Sequence, residues 1–338
     1  MNLIADQVSL CFESPEEKLE GLLTLGYEKR KAFPDEIHFY APGMVHYETS
    51  FHLASNPYRF PAVSVTGRIC QLQCEHCKGR LLEDMIPATT PEKFLDVCRK
   101  IVENRGKGCL ISGGSALDGS VPLKKFSKAI REAKNSFGLD IVVHTGMIHA
   151  DVVESLAAAG VDAAMIDVIG SDETYRKVYH LNNGLASLKR TLNAFEEAGM
   201  VYVPHIVVGI DDGTIKGEMN AVNILSGYSP SAVVVVSLMP LEHTSMEKVN
   251  PPTPLDTSRV LLAARLAFPD KPLLLGCARS NGAARAAVDI LAIKAGVNGI
   301  AYPSEEGYDY AVSCGLKPMF SEECCSLVYR DIKKPRRQ

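Results

Sequence analysis

The chain is 338 residues long, 46% hydrophobic and 22% charged, proportions that supply a core and exclude a disordered chain. Its net charge of −4 leaves no basic excess to neutralise phosphates, so nucleic acid is not an expected partner. No apolar run reaches the roughly 20 residues of a bilayer-spanning helix, and no membrane partner is expected.

At the start, "MNLIADQVSLCFESPEEK" lacks the charged segment and unbroken apolar stretch of a signal peptide, which predicts a cytoplasmic protein. Ten cysteines in a reducing compartment are not expected to form a disulfide framework; clustered ones point to metal or catalysis, scattered ones to packing. Residues 1–55 read as an N-terminal extension. From residue 61 onward, apolar runs at 61–67, 108–114, 139–146, 161–170, 201–210, 231–240, 271–278 and 297–303 alternate with stretches of helical period such as 90–105, 121–137, 150–160 and 184–199. Thr90 before Pro91 signals a helix start, and Gly160 and Gly199 fall where a helix-ending glycine belongs. Continuous apolar strands joined by helices imply a parallel sheet covered on both faces. Eight such units within residues 56–303 predict an α/β fold, a (β/α)8 TIM-type barrel. A doubly wound open sheet is the alternative, but it calls for a glycine-rich dinucleotide turn after its first strand, and here that turn holds cysteines. Residues 304–338 read as a last helix and a cysteine-containing C-terminal extension, closing on "KKPRRQ", a basic solvated terminus.

The turn in question is "RICQLQCEHCKGR", residues 68–80, with Cys70, Cys74 and Cys77 at spacing C-x3-C-x2-C. It leaves the first strand, and in such barrels the chemistry sits at the C-terminal ends of the strands. Thiolates bind zinc or iron–sulfur clusters, and three sulfurs leave one tetrahedral position open. A structural zinc would recruit His76 or a distant residue as its fourth ligand, although a ring between two ligands in a tight turn points away from the metal. The motif after a first barrel strand resembles the radical S-adenosylmethionine (SAM) superfamily. That resemblance implies a [4Fe-4S] cluster on Cys70, Cys74 and Cys77, with SAM chelating the fourth iron and being cleaved to a 5′-deoxyadenosyl radical. It also implies that the glycine-rich end of the second strand, Ser112-Gly113-Gly114, receives the methionine amino group on its carbonyls; Ser115 stands where the family more often has Glu. By the same resemblance His76 lies beside the adenine, and Thr145 and Asp167 contact the methionine carboxylate and the ribose. Each of those last two also reads as a strand-end residue capping the next helix.

Residues 273–307 resemble the seventh and eighth units of biotin synthase and its relatives, with Arg279 and Asn298 at matching places and Arg279 carried over as a cofactor contact. Biotin synthase holds a [2Fe-2S] cluster inside its barrel through cysteines on strands two, three and five and an arginine on strand seven. Cys109 is expected to fill the first position; Val142 and Val143, Pro204 and His205, and Leu274 do not supply the rest. Instead Cys11, Cys277, Cys314, Cys324 and Cys325 are the expected ligands of an auxiliary [4Fe-4S] cluster, inert burial being the alternative for each. The chain is most similar in these features to a subunit of the archaeal two-component lipoyl synthases. This implies sulfur insertion into an octanoyl chain on a protein or peptide, a paralogous radical SAM partner, and ferredoxin or flavodoxin as electron donor. A biotin-synthase-like or [FeFe]-hydrogenase-maturase-like enzyme is the competing reading, and an iron–sulfur or zinc-binding module without catalysis is a different class. An inner face of Val, Ile and Leu would shield a radical from water, with His144, Asp167, His205, Glu242 and Arg279 positioning cofactor and substrate.

Overall fold

A parallel strand that is apolar along its length must be covered on both faces, and the computed structural model, which describes residues 3–43 and 45–332, covers each with a helix or with the chain's own end. The chain begins with α1 (Leu3–Glu13), α2 (Glu16–Arg30) and β1 (Glu36–Tyr40), then a short antiparallel pair, β2 (Tyr47–Glu48) and β3 (Leu53–Ala54). The repeating part runs β4 (Ala62–Ser64), β5 (Ile86–Pro87), α3 (Pro91–Glu103), β6 (Gly108–Ser112), α4 (Ser127–Phe137), β7 (Asp140–His144), α5 (Ala150–Ala159) and β8 (Ala163–Val168). It continues through α6 (Asp172–Tyr179), α7 (Gly184–Glu197), β9 (Tyr202–Val208), α8 (Glu218–Leu225), β10 (Val233–Ser237), α9 (Pro254–Ala267), β11 (Leu273–Leu275), α10 (Ala283–Lys294) and β12 (Gly299–Ala301). Finally come α11 (Glu305–Ser313), β13 (Lys317–Ser321) and α12 (Val328–Asp331). The basic stretch 333–338 lies outside the described residues.

All eight expected strands are present, as β4 and then β6 to β12. The difference lies in closure. The sheet is a parallel, eleven-stranded one in the order β13-β1-β12-β11-β10-β9-β8-β7-β6-β4-β5. β12 pairs with β1 rather than β4, and β13 pairs with β1 in turn, so both extensions contribute strands and the curled sheet ends on β5 and β13. Local signals hold where they were read: Thr90 Oγ1 accepts from the Lys93 amide at 3.3 Å, a cap that stabilises α3 by about 1 kcal/mol. Gly160 and Gly199 take φ of 82° and 61° at the ends of α5 and α7.

Strand alternation divides the apolar residues into two cores. Ile141, Val143, Ala164, Ile166, Val233 and Val235 face the helices. Val142, Ala163, Met165, Val203, Val234 and Leu274 face the inside of the curl. Cys109 belongs to the outer set with Cys98 of α3, so it does not face the lumen as expected; the inward residue of that strand is its neighbour Leu110, one step out of phase.

The inner core is completed by the C-terminal extension. After β13 the chain turns under the sheet, and Cys324, Cys325, Leu327, Val328 and Ile332 enter the inner cluster. Tyr329 donates to the Asp162 carbonyl at 2.8 Å, Arg330 makes a two-pronged contact with Asp140 at 2.8 and 3.0 Å, and Tyr40 donates to Asp331 at 2.8 Å. Asp140 and Asp162 stand at the entry of β7 and β8, so this segment plugs the N-terminal mouth and leaves the opposite mouth for chemistry.

Candidate functional site: a cysteine loop over an enclosed lumen

The loop leaving β4 carries Cys70, Cys74 and Cys77. Gly67 and Gly79 turn it at φ of 62° and 76°, and two residues with side chains, Gln73 and Lys78, also adopt left-handed φ, 48° and 46°, next to Cys74 and Cys77. Such backbone is costly for a non-glycine residue and persists where surrounding contacts impose it. Those contacts are local: Gln73 Nε2 donates to the Cys70 carbonyl at 2.8 Å, Lys78 Nζ binds Glu75 at 2.7 Å, and the Glu75 amide donates to the Val178 carbonyl of α6 at 2.8 Å. Within the loop the Cys74 thiol bonds to Cys77. That bond draws the Cys77 thiol down against burial, with His76 assisting, while Cys74 is pushed up. Cys77 is thus the sulfur whose thiolate, the form that ligates, is favoured.

The end of β6 is pressed against this loop. A Cβ on Gly114 would lie 2.0 Å from the Ile69 carbonyl oxygen and 2.5 Å from Cys70 Cα, so only glycine fits there. The Gly114 amide donates to Thr66 Oγ1 at 2.7 Å, and the Ser115 carbonyl accepts from the Gln71 and Leu72 amides at 2.9 and 3.3 Å. Ser115 thus meets the cysteine loop through its backbone carbonyl. Ser112 is engaged with protein, its carbonyl by the Val65 amide and its hydroxyl on the His144 carbonyl at 3.1 Å. Among the described residues no donor reaches the Gly113 or Gly114 carbonyl. His76 lies 5.1 Å, ring to ring, from Tyr179, and its enclosed Nδ1 has no partner.

Beneath the loop, neighbouring strands place His144, Asp167 and His205 on the inner face; Asp167 and His205 are register partners. His144 Nε2 is 3.2 Å from Asp167 Oδ1, and the two imidazoles are 6.0 Å apart. The His144 and Asp167 side chains keep 29% and 36% of their exposure although protein surrounds them, as groups lining an open lumen do. Burial acts to neutralise both, but their mutual attraction outweighs it, raising His144 and lowering Asp167. His205 is pushed down to about 4 by burial and by its neighbour His144, and its Nδ1 hydrogen is directed to the Val203 carbonyl at 3.1 Å. The His144–Asp167 pair and the His205 imidazole thus form a polar band on the inner face.

Other expected site residues lie elsewhere or are already engaged. Arg279 is fully buried: Nε binds Asp289 at 2.8 Å, Nη1 donates to the Gly276 and Ala301 carbonyls, and Nη2 to Tyr302. This guanidinium ties the exits of β11 and β12 together, with Nε, Nη1 and Nη2 all engaged by protein acceptors. Thr145 is buried, with its hydroxyl on the Gly146 and Met165 carbonyls at 2.9 and 3.3 Å. Asn298 accepts from Arg265 and from the Leu273 amide inside the fold, and Glu242 is exposed in the turn after β10. The five auxiliary candidates do not converge. Cys11 is buried in α1 against α9, where Arg259 takes its carbonyl at 2.7 Å, and Cys314 follows α11 beside Tyr27; both belong to the outer layer. Cys277, Cys324 and Cys325 remain, together at the lumen. Among the described residues no three His, Cys, Asp or Glu converge on a single metal ion.

With this geometry in place, residues 64–218, which hold the cysteine loop, match the family model of the Radical SAM superfamily. The relatives are biotin-synthase-like: that of Synechococcus sp. (strain CC9902) is 27% identical over 167 residues, 49% of each chain. The chain spans about half the length of the curated relatives it first matches, 49%, 55% and 53%. In fold it is similar to the crystal structure of methylornithine synthase (PylB), with TM-score 0.64 and 15% identity over 94% of this chain and 97% of that one. It is also similar to HydG, a maturase of the [FeFe]-hydrogenase, with TM-score 0.65 and 15% identity over 97% and 73%. Radical SAM proteins use a [4Fe-4S] cluster and SAM, and the three loop thiols, the two unpartnered glycine carbonyls and the unpartnered His76 nitrogen fit that pair.

Proposed function

We propose that this chain is a sulfur-inserting radical SAM enzyme acting on an octanoyl chain carried by a protein or peptide, as in lipoyl biosynthesis. A [4Fe-4S] cluster and SAM bound here would supply one-electron reductive chemistry able to abstract hydrogen from an unactivated carbon. The chain's own residues do the rest. Cys70, Cys74 and Cys77 hold the cluster, and the Gly113 and Gly114 carbonyls accept the methionine ammonium. His76 and Tyr179 flank the adenine. The half-buried Leu110, Val207 and Ala278 give the inner face apolar surface suited to an alkyl chain and to excluding water, while Val142, Val203, Val234 and Leu274 are fully buried in the inner core. The observation that carries the reading is the concentration of thiols on the lumen side, since sulfur insertion requires a sulfide source within reach of the substrate radical. A ferredoxin- or flavodoxin-type donor supplies electrons, and a paralogous radical SAM protein completes the second insertion.

The polar band of His144, Asp167 and His205 favours a second reading, a small polar substrate handled as by a biotin-synthase-like or maturase-like enzyme. Mass spectrometry separates them. Anaerobic incubation of an octanoyl-lysyl peptide with this protein, reductant and SAM is expected to form 5′-deoxyadenosine and add one sulfur to the peptide. Turnover of dethiobiotin or a small amino acid, with the peptide untouched alone and with the paralogue present, overturns it.

A further inference from the structure

Two different elements hold the two halves of the cysteine loop. The first half rests on the exit of β6, with the Gln71 and Leu72 amides on the Ser115 carbonyl and Cys70 Sγ 3.9 Å from the same oxygen. The second half, which carries Cys74, His76 and Cys77, meets the C-terminal end of α6 through three consecutive residues of that helix end. The Val178 carbonyl, among the last of α6 and so without an intrahelical donor, accepts from the Glu75 amide at 2.8 Å. The Tyr179 ring lies 5.1 Å from the His76 ring. His180 Nε2 donates to the Gln73 carbonyl at 3.2 Å and lies 3.1 Å from Glu75 Oε1. Both neighbours are acceptors, so Nε2 carries the ring hydrogen. Lys78 Nζ reaches the same two residues, at 3.2 and 2.7 Å, but Lys78 belongs to the loop and moves with it. Packing does not account for His180: its side chain is 42% exposed, and its backbone is left-handed, φ 59°, a conformation that is costly for a residue with a side chain. The helix behind it is a firm base. Buried Asp211, after β9, accepts from the Thr174 hydroxyl at 2.8 Å, Lys177 Nζ lies 2.7 Å from Asp212, and the Ile169 amide donates to Tyr175 Oη at 3.3 Å.

We propose that His180 is a positioning residue of the cysteine loop: by clasping the Gln73 carbonyl and the Glu75 carboxylate from α6, it fixes Cys74, His76 and Cys77 relative to Cys70, which β6 holds separately. The inference rests on the reading of this loop as the site of a [4Fe-4S] cluster and SAM, and adds to it a residue 107 positions along the chain from Gln73. Three sulfurs must be in place together to hold one cluster. A loop whose halves are set by different elements therefore binds it well only while both attachments persist. His180 touches neither group in this arrangement; it acts through Gln73, whose own left-handed φ of 48° directs the chain into Cys74, and through Glu75, which stands between Cys74 and His76.

The test uses the intact chain and begins on metal-free protein. His180→Gly removes the imidazole while suiting the left-handed backbone, so its denaturation midpoint should not fall. In that variant, timed alkylation with peptide mass spectrometry is expected to show Cys74 and Cys77 reacting several-fold faster than in wild type and Cys70 at its wild-type rate. His180→Gln, whose side-chain amide can donate to the same acceptors, is expected to restore the wild-type rates; His180→Phe, a ring without a donor, is not. After anaerobic reconstitution, His180→Gly should hold iron and sulfide through desalting about 10-fold less well and shift the electron paramagnetic resonance signal of the reduced cluster, with both effects reversed in His180→Gln. Wild-type protein, which raises no question of folding, should show the Glu75 amide exchanging hydrogen as slowly as the amides of α6. Equal acceleration of all three thiols, acceleration of none, a glutamine variant that behaves like the glycine one, or fast exchange at Glu75 overturns the assignment. Wild-type protein that takes up no iron would instead overturn the cluster reading, and the thiol rates of the metal-free protein would still decide what His180 does.

Discussion

Gly114 and His205 show how much single positions carry. A methyl group on Gly114 would meet the Ile69 carbonyl and Cys70 Cα, which are backbone and cannot step aside. Gly114→Ala is therefore expected to displace the cysteine loop and weaken cluster retention roughly 10- to 100-fold, read as iron and sulfide after desalting. Ser115→Ala should leave both unchanged, because that residue contributes its carbonyl. His205 has a folded pKa near 4, below that of the unfolded chain, and so must lose a proton to fold in acid. Stability from its neutral state is full above about pH 6.5 and declines as pH falls toward 4, by on the order of 1–3 kcal/mol after allowance for its partial exposure. His205→Phe should flatten that decline in urea titrations at pH 7 and pH 4.5; equal slopes for both proteins would show that His205 does not titrate between the two states.

At the scale of elements, the exits of β11 and β12 are joined by one ion pair, Arg279 with Asp289, both fully buried. Breaking a buried pair by removing one partner leaves an uncompensated charge and costs about 3–5 kcal/mol. Arg279→Lys loses the planar fork that reaches Asp289, Gly276, Ala301 and Tyr302 together. It is expected to lower the denaturation midpoint strongly, with little change in SAM affinity of the folded fraction by equilibrium binding. A large loss of SAM affinity at unchanged stability would restore Arg279 as a cofactor contact. The resemblance to biotin synthase implies a cofactor contact at this arginine, whereas its partner Asp289 lies ten residues on, in α10, and the three carbonyls come from two strand exits. No local pattern distinguishes such a strut from a ligand.

For the whole molecule, an open sheet of eleven strands leaves a mouth at its lower end, and residues 322–332 fill it. Leu327 is completely buried in the inner core. Leu327→Ala is expected to cost about 2–5 kcal/mol, while Val312→Ala on exposed α11 should cost under about 0.5 kcal/mol, both by urea denaturation. Equal small effects would mean that the plug contributes little to the stability of the barrel.

Eight β/α units, their order, the caps at Thr90, Gly160 and Gly199, and the cysteine loop with its glycine-rich neighbour were legible in the chain, because each depends on residues a few positions apart. Strand period also marked His144, Asp167 and His205 as strand-end polar groups. Whether those three share a face, which way Cys109 points and where the sheet closes were not legible. A one-residue phase error reverses a side chain, and closure depends on pairing β1 with a strand some 260 residues away. The distal cysteines make the same point: Cys11, Cys277, Cys314, Cys324 and Cys325 are equivalent as sequence, and only the tail's return into the lumen sorts them into two layers. Local spacing therefore determined the chemistry this protein can bind, while tertiary structure decided which thiols and imidazoles meet, because contacts between distant segments are set by the packing of the whole sheet.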